Sequence, residues 1–159
     1  MDILKNLKYQ ININGGVQDN IDKGFQPSFI DLDASKAPRP AEASNERWTD
    51  RDWVVENTLT YTNLFADKHQ VTALAGYTTQ AHGSEHMRGE ARGFPNDNIQ
   101  TLNAGTMYSL TSDESEYSMI SYLGRVNYAY DNRYLLTATV RSDGSSRFGQ
   151  KKKWGTFPS

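Results

Sequence analysis

The chain has 159 residues, 17 basic and 19 acidic side chains for a net charge of -2, and no cysteine. That balance supplies no field to draw nucleic acid or an anionic membrane surface, and the missing thiols exclude disulfides and thiolate metal sites. Hydrophobic residues make up 36% and mean hydropathy is -0.73, so no run is apolar enough for a spanning helix, whereas a barrel strand turns only every second residue to lipid.

The N-terminal Met1-Asp2-Ile3-Leu4-Lys5-Asn6 lacks the basic stretch, apolar core and cleavage site of a signal peptide. From Ile3 to Asn14 the chain alternates, with Leu7, Tyr9, Ile11 and Ile13 on one parity and Asn6, Lys8, Gln10 and Asn12 on the other, which predicts a first strand. Gly15-Gly16 is expected to end it. Residues 15–52, punctuated by Pro27, Pro38 and Pro40, read as a long polar loop.

Alternation resumes from Trp53 to Phe65, with Val55, Leu59 and Tyr61 against Glu56, Thr58, Thr60 and Thr62. Ala66-Asp67-Lys68 is a predicted turn, and His69–Ala81 a third strand with Val71, Ala73, Ala75 and Tyr77 on one side. Residues 82–116 form a second predicted long loop. Ile120, Tyr122, Val126, Tyr128 and Tyr130 then share a parity opposite Ser121, Arg125 and Asn127. Across the turn Asp131-Asn132-Arg133, the residues Tyr134, Leu136, Ala138 and Val140 stand against Thr137, Thr139 and Arg141, while Leu123 and Leu135 break the pattern. A further strand is expected to start near Phe157-Pro158-Ser159.

Tyr128, Tyr130 and Tyr134 crowd the turn end of this hairpin while aliphatic residues fill its middle, as an aromatic girdle at a membrane interface would. Each arm has about the 9–11 residues a tilted strand needs to cross a bilayer. Long loops alternate with three-residue turns, the asymmetry of outer-membrane barrels, in which one set of connections is short and periplasmic and the other long and extracellular. A soluble sandwich also alternates apolar and polar faces, so the pattern by itself leaves both architectures open.

Four local motifs have ordinary readings beside sharper ones. His82-Gly-Ser-Glu85-His86 fits H-x-x-E-H, a zinc-peptidase pattern that requires a helix; here it follows a strand pattern and reads as coincidence. Asp143-Gly144-Ser145-Ser146-Arg147 reads as a turn, since no strand-turn-helix elbow or partnering histidine accompanies its serines. Lys151-Lys152-Lys153 beside Trp154 is a solvated loop before it is a ligand patch. Trp48 and Trp53 are interface anchors or stacking platforms, and their strand-end positions favour anchoring. No residue is singled out for catalysis, cofactor binding, metal binding or substrate contact, and the chain is not expected to be an enzyme.

Tyr122–Ser159, with LGRVNYAYDNRYLLTATVRSDGSSRFG and WGTFPS, resembles the barrel of SusC/RagA-family TonB-linked outer-membrane transporters. The stretch Gly93-Phe94-Pro95-Asn96-Asp97-Asn98 through Leu102-Asn103-Ala104 and the hairpin from Phe65 to Tyr77 are similar to the same family, and Arg141-Ser-Asp-Gly-Ser-Ser-Arg-Phe148 is the most specific match. The resemblance implies an all-β fold: part of an antiparallel transmembrane β-barrel with about five strands and the start of another, not closed on its own, since plugged barrels of this kind use about 22. Residues 1–159 would then be a partial barrel domain, lacking signal peptide and plug. It also implies uptake of glycan fragments or peptides across the outer membrane of a Bacteroidetes-type bacterium, with a SusD-like surface lipoprotein capping the barrel and a TonB complex acting through the plug. Substrate contacts would come from loops 15–52 and 82–116. The rival expectations are a siderophore or cobalamin receptor of the same build, and a soluble carbohydrate-binding β-sandwich using Trp48, Trp53 and Trp154.

Overall fold

A computed structural model describes residues 2–4, 6–28, 39–149 and 153–159. They form one seven-stranded sheet in which every strand neighbours the next in sequence, a plain meander. The strands are β1 (Asp2–Leu4), β2 (Leu7–Gln26), β3 (Glu42–Phe65), β4 (His69–Arg92), β5 (Thr106–Tyr130), β6 (Tyr134–Ser145) and β7 (Trp154–Pro158). The only helical piece among the described residues is a single 3-10 turn at Leu102–Ala104. No second sheet faces this one among the described residues, and no large side chain there is fully enclosed. The sandwich expectation is therefore overturned, because its core would need two apposed layers.

The two predicted turns are present. Ala66 and Asp67 have φ of 48° and 56°, and Asp131 and Asn132 have φ of 48° and 52°, left-handed conformations that Asp and Asn tolerate better than most residues and that match the twist of the flanking strands. The register of β5 on β6 follows from the second turn: Tyr130 pairs with Tyr134, Tyr128 with Leu136, Val126 with Ala138 and Gly124 with Val140. Like parity meets like parity throughout, so both strands put their apolar positions on one face.

The two predicted long loops are largely strand. Residues 17–26 continue β2, 42–52 begin β3, 82–92 continue β4 and 106–116 begin β5. Gly15-Gly16 does not end its strand but lies within it. Ile3 belongs to β1, separate from the strand that holds Leu7 to Ile13. The last strand starts at Trp154 rather than at Phe157. Pro38, Lys151 and Lys152, named in the sequence reading, lie outside the described residues.

The sheet divides into two compact units. One comprises residues 1–16, 52–82 and 116–159, the other residues 17–51 and 83–115. In the second unit Ala41, Ala43 and Ala91 are buried and Phe25 meets Phe94 edge-on at 5.5 Å. The Gly93 N–H donates to the Ala41 carbonyl at 3.0 Å, and Gly93 takes φ +74°, where a side chain would be strained.

Candidate functional site: two faces of the first unit

In the first unit, Leu59, Tyr61, Ala73, Ala75, Val126, Ala138 and Val140 share one side and line a shallow apolar groove there. Aromatic rings bound this band at both ends. Toward the turns, His69 Nδ1 and the Tyr128 hydroxyl are 2.7 Å apart, the His69 ring lies 5.0 Å from that of Tyr130, and Tyr130 stacks on Tyr134. At the other end Tyr77, Tyr122 and Trp154 form a row with centroid spacings of 5.4 and 5.8 Å, and Trp53 stands beyond it, half exposed.

The belts are separated by about 26 Å of extended chain at the Tyr77–Tyr122 rung and about 40 Å at Trp53. Tilted by about 45°, these become about 19 and 28 Å of height, bracketing the apolar band of about 25 Å found in outer-membrane barrels. The Tyr9 hydroxyl and Asn57 Oδ1, polar groups on the same face, are 2.5 Å apart, as hydrocarbon surroundings require of any polar group placed in them.

The opposite face is polar. Thr137 Oγ1 donates to Asn127 Oδ1 at 3.0 Å, Asn12 Nδ2 reaches Glu56, and Thr62 and Thr72 hydroxyls are 3.4 Å apart. At its end away from the turns His82 Nδ1 pairs with Asp52 Oδ1 at 2.6 Å, the His82 ring lies 5.2 Å from Tyr117, and the Arg147 guanidinium sits 3.8 Å over the Tyr117 ring. Beside them is a cavity of about 330 Å³ bordered by Asn14, Gly16, Asp52, Gln80, His82 and Tyr117.

The Arg141–Phe148 motif organises this corner. Arg141 Nε binds Asp143 at 2.8 Å, the Ser118 N–H donates to Ser146 Oγ at 2.9 Å, and the Arg147 N–H donates to Ser145 Oγ. Ser146 thus ties the end of β6 to β5, while the Ser142 and Thr156 hydroxyls are 3.2 Å apart across β6 and β7. The turn expected over Asp143-Gly144-Ser145-Ser146-Arg147 is displaced: Asp143, Gly144 and Ser145 are strand residues of β6 paired with Ser121, Ile120 and Met119, and only Ser146 and Arg147 turn.

In the second unit charges are paired across strands. Arg47 binds Asp19 through two of its guanidinium nitrogens, Nε and Nη2, and Thr49 Oγ1 adds a bond of 2.8 Å. Held chiefly by Arg47, the Asp19 carboxyl drops to about 2. Arg51 pairs with Glu85 at 2.5 Å, which raises the arginine further. Trp48 stacks on His86 at 5.1 Å, His86 Nε2 meets Glu46 at 2.7 Å, and Arg88 bridges Glu46 and Glu90. The H-x-x-E-H residues sit on strand β4, where His86 and Glu85 point to opposite sides and take different partners, Glu46 and Arg51. The single helical face that zinc chemistry would need is not formed. Among the described residues no three His, Asp or Glu side chains converge as a metal site.

No family model matches the chain. Over 110 residues it is 42% identical to TonB-dependent receptor P39 of Formosa agariphila, covering 67% of this chain and 11% of that protein. It is 35% identical over 138 residues to receptor P3 of the same organism, covering 85% of this chain and 13% of the relative. A 49-residue stretch is 53% identical to TonB-dependent receptor SusC of Bacteroides thetaiotaomicron, covering 31% of this chain and 5% of SusC. The fold superposes on the structure of the RagAB peptide transporter with a TM-score of 0.88 at 21% identity, over 98% of this chain and 17% of that one.

An unclosed meander with a belted apolar face and a wet one is a section of a transmembrane β-barrel wall. The chain belongs to the TonB-dependent receptors. It spans about a tenth of the length of the curated relatives it matches, and those relatives are named as receptors, not enzymes.

Proposed function

We propose that residues 1–159 are part of the barrel domain of an outer-membrane transporter that imports glycan fragments or other large nutrients such as peptides. The observation that carries this reading is the division of the first unit into a belted apolar face and a hydrogen-bonding face. A lipid-facing outside and a water-filled inside call for that division in a sheet with no second layer over its apolar side among the described residues. The polar face of the first unit, with Asn127, Thr137, Asp52 and His82, lines the path. The likeness to SusC and to the RagAB transporter supports a SusD-like lipoprotein at the outer mouth. The receptor names support a TonB complex driving transport through a plug domain elsewhere in the whole protein.

The test is made on the full-length protein in its own envelope. A barrel is extracted only by detergent and runs faster on gels before boiling than after. Uptake of its oligosaccharide or peptide should stop when the TonB complex is deleted. Release into buffer without detergent would defeat the membrane reading, and uptake of a metal chelate instead would reassign the cargo to a siderophore or cobalamin.

A further inference from the structure

Gly15 and Gly16 lie in the interior of β2, and neither adopts a left-handed φ. A side chain at Gly16 would meet nothing within 4 Å. Among the described residues neither a left-handed backbone nor a close neighbour calls for glycine there, although glycine weakens a strand interior and in such places often marks a bulge, a bend or the close approach of a ligand or another backbone. What the missing side chain leaves is the cavity of about 330 Å³ on the polar face.

We propose that Gly16 keeps open a seat for one ring of a neutral, hydroxyl-rich ligand, a single sugar unit of an oligosaccharide. The seat's volume is at the small end of the range of about 300–1,000 Å³ for ligand pockets, which suits one ring. Among its lining residues the one carboxylate, Asp52, and the one imidazole, His82, are bonded to each other at 2.6 Å, so a charged ligand would have to break that bond. Asn14 and Gln80 each offer a donor and an acceptor, the requirement of hydroxyls that both give and take protons. Tyr117 and Val54 supply apolar wall for the ring's C–H face. A peptide brings residues of every size and charge, whereas an oligosaccharide presents nearly the same unit at each step, and only the second fits a seat of fixed shape.

The inference rests on the polar face being the transport path, so the experiment separates the two. In full-length protein, Gln80→Cys should be labelled by a membrane-impermeant maleimide from the aqueous path; absence of labelling sinks both the path and the seat. Binding is then read by calorimetry and saturation-transfer NMR in detergent with maltohexaose, xylohexaose and hexa-alanine. We expect at least one hexasaccharide to bind, hexa-alanine not to compete, and Gly16→Leu to weaken binding at least tenfold while keeping the heat-shifted gel band. Thr58→Leu, outside the cavity, should bind as the parent does. If Gly16→Leu fails to assemble, Gly16→Ala carries the test with a smaller loss of about threefold. Unchanged affinity in the assembled glycine variant, binding of hexa-alanine in competition, or no saccharide binding would each overturn the seat, and with Gln80→Cys labelled would leave the path intact.

Discussion

Trp154 lies flat over Gly144, so close that a methyl group on that glycine would come within 2.9 Å of the indole. The two residues pair across β6 and β7, and the ring continues the row of Tyr77 and Tyr122 at the belt away from the turns. Gly144→Ala should therefore destabilise the assembled barrel by about 1–3 kcal/mol through overpacking. In a Trp154→Ala background the same change should cost much less. Urea titration of the full-length protein in detergent, read by the heat-shifted band, checks both; equal losses in the two backgrounds would mean that the contact is incidental.

This contact also shows what the sequence could and could not convey. The hairpin from Ile120 to Val140 was legible because lipid on one side and water on the other write a period of two into it, and the register of Val126 on Ala138 follows from the same parity. Outside the apolar band that contrast vanishes. Asp19, Arg47, Arg51 and Glu85 carry charge at odd positions, and Glu46, Arg88 and Glu90 at even ones, because both sides of those strands meet polar surroundings. The strands of residues 17–26 and 82–92 consequently read as loop. Trp154 and Gly144 are ten residues apart and meet only through the register of β7, which no local pattern encodes. The seat beside Gly16 was hidden for a related reason: paired glycines more often end a strand than interrupt one, and the lining residues come from four strands.

The register makes a sharper demand. Asn127 and Thr137 are direct partners on the polar face, with side-chain oxygens 3.0 Å apart. The chain has no cysteine of its own, so the pair Asn127→Cys and Thr137→Cys should close a disulfide under mild oxidant, at the Cα separation of about 4.4–6.8 Å that such bridges need. Asn127→Cys with Leu136→Cys should not, since Leu136 points to the other face. Cross-linking of the second pair and not the first would show a slip of one residue.

The Asp19 carboxyl, in the second unit and outside the apolar band, is held at about 2 against an ordinary 3.8. A lowered folded-state value means that the carboxylate's contribution is fully present above about pH 4 and is lost as pH falls through about 2. Carboxyl ¹³C shifts of the full-length protein should titrate at Asp19 well below its other carboxylates, and Asp19→Asn should speed proteolysis near Arg47 at pH 7 but not at pH 2. The pair is exposed, so 1 M salt should shrink the difference. A titration near 4 would break the Arg47 assignment.

The claim on which everything else stands is that the Val126–Ala138 side of the sheet meets lipid and the Asn127–Thr137 side meets water. Arginine is placed at neighbouring positions of the full-length protein, Val126→Arg on one side and Thr137→Arg on the other, and unfolding free energies are compared in lipid vesicles. Val126→Arg should cost about 2–4 kcal/mol, the charge of a guanidinium near the bilayer midplane, while Thr137→Arg should change stability by less than about 1 kcal/mol. Equal costs, or the larger cost at Thr137, would contradict the account.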